Sequence, residues 1–359
     1  MTSDETAGNG GSGQAGSDET VPVSKRKPVA KRKKPSKGAG PRYEALSVAS
    51  FQHPADRAAT AALKAVPGLD TAVRWLIEQG YERALYQQNL AASVRLGPNQ
   101  LPGLYASFID VLRTLDVPYP ADQSPTLYVT QDPSLNAMTV GSQNPYVVLT
   151  SRLVEVLDPD ELRAVLGHES GHILASHVVY HTALQILLGL TLPVLSPGAI
   201  PLTAVKMALL EWFRAAELTC DRAAALAVDD PELMIRTLMV LGAGLPSSQL
   251  SLPAFKTQIA EYQEWEDGPD RLRRFLALLR QTHGTPVRRA SELTRWVESG
   301  EFERIRQGDY VRVGNEAGTA SATGDAVAHY TDRFRDIVST AGDTVAKTGS
   351  KLSSWLKGE

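Results

Sequence analysis

Apolar residues recur at helical steps along most of the chain beyond Pro41, and at two short places they do not. Ala59, Leu63 and Val66, followed by Val73, Leu76 and Ile77, stand three or four apart, which predicts helix from Pro54 to Gln88. Leu104 to Leu115 repeats the pattern. Thr126-Leu127-Tyr128-Val129-Thr130 and the run from Tyr146 to Thr150 are instead rich in β-branched and aromatic residues, so both predict strands, separated by a turn-rich piece holding Asp132-Pro133 and Gly141. Asp158-Pro159-Asp160-Glu161 reads as an N-cap, a first-turn proline and an acid placed to close a capping box. A helix therefore starts near Pro159, carries Leu162, Val165 and Leu166 on its apolar face, and continues through Ile173 and Leu174. Helices resume after Asp221. The expectation is a mainly α fold with a small β-sheet, an α+β architecture.

Chemistry enters on that helix, at His168-Glu169-Ser170-Gly171-His172. Residues four apart share a helix face, so both imidazoles can reach one metal ion. Glu169 is turned about 100° from that stripe and is free to act on a metal-activated water. Catalytic zinc usually takes three protein ligands, and the third has to come from elsewhere. The best candidate is Glu217 in Phe213-Arg214-Ala215-Ala216-Glu217-Leu218-Thr219-Cys220-Asp221. Glu217 and Asp221 also share a face, which lets one carboxylate bind metal while the other orients a ligand histidine.

With these residues in view the chain resembles the gluzincin peptidases of the HtpX and CaaX prenyl-protease group. The resemblance runs from about Leu127 to Leu293 and rests on the strand at Pro145–Ser151, the lead-in Asp160–Gly167, the H-E-x-x-H, and Arg214, Glu217 and Asp221 as R-x-x-E-x-x-x-D. It implies a zincin-like domain holding one Zn2+ per chain, with His168, His172 and Glu217 as ligands, Glu169 as the catalytic base and Asp221 behind the ligands. It implies a zinc-dependent endopeptidase hydrolysing protein or peptide substrates, with membrane-associated quality control as the role some relatives fill. Phe213 departs from the serine many relatives carry there. His283-Gly284-Thr285-Pro286-Val287-Arg288-Arg289 echoes a late family segment with its proline displaced, and on that echo His283 and Arg289 join the candidate residues, His283 also as a partner for the oxyanion.

Two further histidines continue the same run. Counted at about 100° per residue, His177 lies about 140° and His181 about 180° round from His172, so both read as packing or surface residues. Cys220 is the only cysteine. It excludes an internal disulfide, fits a reducing compartment, and reads as small buried filler rather than a ligand.

From Ile173 to Val205 there is no Asp, Glu, Lys or Arg, in an interval where relatives of this group often carry membrane spans. One crossing would put Glu217 on the far side of a bilayer from His172, and the interval is too short for two. The expectation is an apolar helical hairpin: the active-site helix extended to about Leu192, a turn at Pro193, Pro197 and Pro201, and a return through Met207 and Leu210 to Glu217.

A hydrophobic fraction of 43% is enough for a sizeable core, and a net charge of -3 names no partner. The first forty residues differ: a Gly, Ser and acid stretch leads into Lys25-Arg26-Lys27, Lys31-Arg32-Lys33-Lys34 and Lys37, which predicts a disordered basic tail over 1–41. Residues 42–313 form the expected metallopeptidase domain, 314–324 a linker and 325–359 an amphipathic helix carrying Tyr330, Phe334, Ile337 and Trp355. No apolar run follows the basic tail, so a secretory signal peptide is not expected. The chain reads as cytoplasmic, with an anionic membrane face as a partner for the tail, the hairpin or the last helix, and nucleic acid not expected. The competing reading is a non-catalytic, zinc-stabilised adaptor that recruits partners through its tails.

Overall fold

The computed structural model describes residues 41–65, 73, 77, 80, 82–119, 126–142, 144–189, 199–266 and 284–316, with backbone alone at 189, 199–205, 207, 265 and 266. The chain divides into Met1–Ala39 and Gly40–Glu359, and every described residue belongs to the second unit. The basic tail, the prolines 193 and 197, His283, most of the linker and the C-terminal amphipathic helix lie outside the described residues.

The fold is α+β and zincin-like. Helices α1 (Pro54–Ala65) and α2 (Glu82–Ala92) precede strand β1 (Ser93–Arg95), and α3 (Pro102–Thr114) leads to β2 (Thr126–Thr130), β3 (Ala137–Val140) and β4 (Tyr146–Thr150). The described sheet runs β1-β2-β4-β3. β2 and β4 pair in parallel, with Thr126 opposite Tyr146, while β1 and β3 flank them antiparallel. The two strands the sequence predicts are therefore its centre. β1 and β3 are three and four residues long, too short for their pattern to stand out. β4 is buried along its whole length, and β3 forms an edge against the helices that follow.

Those helices are α4 (Ser151–Val156), α5 (Pro159–Leu174), α6 (Val178–Gly189), α7 (Ala199–Val228), α8 (Pro231–Ala243), α9 (Leu252–Glu266), α10 (Pro286–Glu298) and α11 (Glu301–Arg306). α5 begins where its caps predict: the Asp158 carboxylate accepts from the amides of Asp160 and Glu161 at 3.0 and 2.8 Å, and Glu161 Oε2 accepts from the Asp158 amide at 2.9 Å. Arg236 of α8 donates to both carboxylates of this box, at 3.1 and 3.0 Å. The helix start is thus tied to its neighbour by charge as well as by its own backbone.

The far end of α5 corrects the sequence reading. The helix stops at Leu174 instead of running on to Leu192, because Ser176 takes a left-handed φ of 56°. The His177 amide then reaches the His172 carbonyl at 2.9 Å and the Ser176 amide reaches that of Ile173 at 3.0 Å, the two bonds of a Schellman cap. A new helix, α6, starts at Val178. The hairpin's return arm is one continuous helix, α7, of 30 residues. Among the described residues no helix is long and apolar enough to cross a membrane.

α5 and α7 pack at close range because small residues meet. A Cβ on Gly167 would stand 2.8 Å from Ala227 Cβ, and one on Gly171 would stand 2.8 Å from Ala223 Cβ and 3.2 Å from Cys220 Cα. Two apolar clusters flank this contact. One joins the sheet, α5, α8 and the Ala223–Ala227 part of α7; the other joins α1, α6 and α7 up to Ala216. The polar turn of α7 from Glu217 to Asp221 falls between them.

Candidate metal centre

Both histidines of α5 turn their Nε2 atoms onto one carboxylate oxygen of α7. Glu217 Oε1 lies 3.4 Å from His168 Nε2 and 3.2 Å from His172 Nε2. All three residues are buried. Ligands about 2.0–2.1 Å from a tetrahedral ion sit roughly 3.3 Å from each other, and both nitrogen-to-oxygen separations match that spacing. A fixed pair of imidazoles and one carboxylate, with water free to take the remaining position, is a donor set suited to such an ion.

The surroundings fix each donor. Asp221 Oδ1 accepts from His168 Nδ1 at 3.0 Å. Arg289 of α10 donates from Nε to Asp221 Oδ2 at 2.9 Å and from Nη2 to Asp221 Oδ1. Its Nη1 lies 2.8 Å from Glu217 Oε2 as an ion pair, without the alignment of a hydrogen bond, so that oxygen has charge beside it but no donor. Burial opposes the charge of Glu217, yet Arg289 and His168 outweigh it and hold its carboxyl well below the usual range. Asp221 is lowered likewise, with burial opposed by Arg289. Burial also disfavours a charged His168, but Glu217 and the Asp221 hydrogen bond lift it to about 9. His172 goes the other way, to about 3, because burial dominates there. His172 is thus held neutral and His168 protonated near neutral pH.

Glu169 stands off the ligand stripe. Its Oε2 accepts from Thr139 Oγ1 of the edge strand β3 at 2.6 Å, and burial raises its carboxyl above the ordinary value. The Thr139 carbonyl in turn accepts from His181 Nδ1 at 2.8 Å. His168, Glu169, His172 and Glu217 open onto a cleft of about 400 Å³ whose apolar wall includes Leu153, Val165, Met234 and Leu241.

His177 and His181 are not surface residues. Both are buried at 2% exposure, and His181 lines the cleft. His177 Nδ1 is 3.3 Å from His172 Nδ1. The angular count fails for a physical reason: it carries one helix through the Schellman cap, which instead folds His177 back beneath His172. Ser176 occupies the cap position where glycine would have signalled the stop. Asp56, which meets His177, and Thr139, which meets Glu169, were also not found from sequence. They lie 112 and 29 residues before His168, and neither sits in a pattern of its own.

Cys220 offers a rival donor set, since its sulfur and one nitrogen from each of His168 and His172 lie within 4.8 Å of one another. Glu217 fits better. The Cys220 thiol sits 3.6 Å from His177 Nδ1 and is not among the residues lining the cleft, whereas Glu217 is. Burial also pushes its pKa well above the usual thiol range, and a protonated thiol is a poor ligand.

A zincin-like α+β body with a buried His, His and carboxylate cluster beside a glutamate, at the floor of an open cleft, is the framework of a metal-dependent peptidase. The sequence profile of Peptidase family M48 matches residues 104–297, and the chain belongs to that family. It is a metallopeptidase acting on protein or peptide substrates. It is 34% identical over 268 residues to the Plastoglobule-localized metallopeptidase 48, chloroplastic, of Arabidopsis thaliana, across 73% of this chain and 76% of that one. It is 37% identical over 76 residues to Protease HtpX homologs of Streptococcus pyogenes serotypes M5 and M49, spanning 21% of this chain and 24% of each of those. No solved structure matches.

Proposed function

We propose that this metallopeptidase is a zinc endopeptidase in which His168, His172 and Glu217 hold one zinc ion and Glu169 is the general base. The observation that carries the reading is the convergence of two Nε2 atoms on one Glu217 oxygen, at 3.4 and 3.2 Å. Two imidazole nitrogens and a carboxylate oxygen suit zinc, with a water completing the set. Zinc bound there supplies a Lewis acid for the scissile carbonyl and acidifies water toward neutral pH.

The chain's own groups do the remainder. Glu169 takes the proton of the attacking water and passes it to the departing amine. Burial, which raises its carboxyl, brings that group closer to the pH at which it must both accept and release a proton. Thr139 holds its Oε2, and Glu169 lines the cleft. Arg289 balances the charges of Glu217 and Asp221, which keeps both ionised in a dry site.

The test is Glu169→Gln in the full chain. Zinc content stays at the parental level while casein cleavage falls roughly 10²–10⁴-fold, the range of a lost general base. Equal cleavage by the two proteins rejects the assignment. The same variant separates the enzyme from a zinc-stabilised adaptor, which has no use for a glutamate aimed into the cleft.

A further inference from the structure

We propose that His177 and Asp56 form a positioning chain that orients His172 for metal binding. The inference rests on the ligand reading above and extends it to α1, a helix that lies ahead of the segment matched by the family profile.

The Asp56 side chain is fully buried. Its Oδ2 accepts from Thr219 Oγ1 at 2.7 Å, Gln52 Nε2 at 3.1 Å and His177 Nε2 at 3.2 Å, and its Oδ1 accepts from Thr60 Oγ1 at 3.0 Å. An ionised carboxylate only accepts, so the proton of the His177 ring is on Nε2. In the neutral ring Nδ1 is then an acceptor, and it faces His172 Nδ1 at 3.3 Å. Two groups can donate to that nitrogen: the Cys220 thiol, whose sulfur is 3.6 Å away, and the nearer His172 ring. His172 donates only in the tautomer with the proton on Nδ1, which frees its Nε2 lone pair for a metal held between it and Glu217; without the metal the ionised Glu217 would draw the proton to Nε2 instead. The hydrogen-bond chain and the metal thus call for the same form of His172.

The ring is also held against rotation. His172 stacks on Phe213 with centroids 5.6 Å apart, and His177 meets Trp212 edge to face at 5.4 Å. Trp212 Nε1 donates to Thr60 Oγ1 at 2.9 Å, which returns the network to Asp56. The two ligand histidines therefore have separate carboxylate anchors: Asp221 directly for His168, and Asp56 through an intervening imidazole for His172.

The experiment measures zinc affinity by chelator competition, and the visible spectrum of the cobalt-loaded protein, for full-length parent, His177→Phe, His177→Gln, Asp56→Asn and the His177→Phe/Asp56→Asn pair. His177→Phe keeps a ring beside Trp212 but removes the acceptor, and zinc affinity is expected to fall about 10–100-fold, as for other groups that orient a metal ligand. His177→Gln, whose amide can accept from His172 and donate to Asp56, is expected to recover most of that loss. The double variant should be no weaker than His177→Phe alone, since both changes cut one chain. Parental affinity and an unchanged cobalt spectrum in His177→Phe overturn the proposal, as does a glutamine no better than phenylalanine. Should the phenylalanine variant not fold, Asp56→Asn decides, with a loss of about 10-fold expected and parental affinity counting against it. Glu217→Ala is the separating control. Zinc lost there but retained in His177→Phe defeats only the chain, whereas zinc retained in Glu217→Ala defeats the ligand set beneath it.

Discussion

His168 and His172 are chemically identical side chains one turn apart, yet the fold treats them oppositely. The first is lifted to about 9 by its two carboxylate neighbours, the second pressed to about 3 by burial. The proposed zinc site needs both as neutral ligands, so loading should displace the proton from His168. Calorimetry at pH 7.5 in buffers of different ionisation enthalpy is expected to show release of about one proton per zinc bound. Binding heats that do not vary with buffer would contradict it. Single residues were also where the sequence was most and least informative. The H-E-x-x-H needed no tertiary structure, because its spacing and a helix are enough to place two rings on one face. Thr139 and Asp56 had no such local signature, since what matters is the atom each meets across the fold.

At the scale of elements the site depends on how near α5 lies to α7. Gly167 and Gly171 let α5 rest on Ala223, Ala224 and Ala227, and that approach is what brings Glu217 within reach of two imidazoles. Gly171→Ala adds a methyl where Ala223 Cβ and Cys220 Cα already stand at 2.8 and 3.2 Å. The helices must part or α5 must shift, at a cost of about 1–3 kcal/mol in chemical denaturation, with zinc held several-fold less tightly. An unchanged denaturation midpoint and affinity would mean that the interface yields without moving the ligands. The start of α5 was legible because caps are local chemistry. Its end was not, because a left-handed serine takes the cap and the apolar pattern runs on unbroken.

For the whole molecule, the centre is a cluster of charges set between two apolar clusters, and stability should follow its protonation. Asp56, Glu217 and Asp221 all have carboxyls held below their ordinary values although burial opposes it: for Asp56 the hydrogen bonds from His177, Thr219 and Gln52 prevail, and for the other two the ion pairs with Arg289 do. Lowered carboxyls stabilise above their unfolded values near pH 4 and lose that contribution as pH falls. His168, raised, stabilises fully below about 6.5 and loses its contribution as pH climbs through about 9. His172, lowered to about 3, costs stability as pH falls below about 6.5, so the metal-free protein should melt highest near pH 6.5 and lower on either side. Zinc should flatten the alkaline limb, because it takes the lone pair for which the proton competes. A melting profile with the same alkaline slope in both forms would count against this.

The sequence by itself determined the parts whose cause is local: the helix start at Asp158, the helical pairing of His168 with His172, Glu169 beside them, the two central strands, and the shared face of Glu217 and Asp221. Periodicity and capping act over a few residues, so they survive without knowledge of the rest of the chain. Only the tertiary structure decided that the carboxylate of Glu217 meets both rings, that α5 stops at Leu174, and that Asp56, Thr139, His177 and His181 stand around the centre. Those outcomes depend on close contacts between segments far apart in the chain and on one left-handed residue, and neither leaves a repeating trace in the order of amino acids.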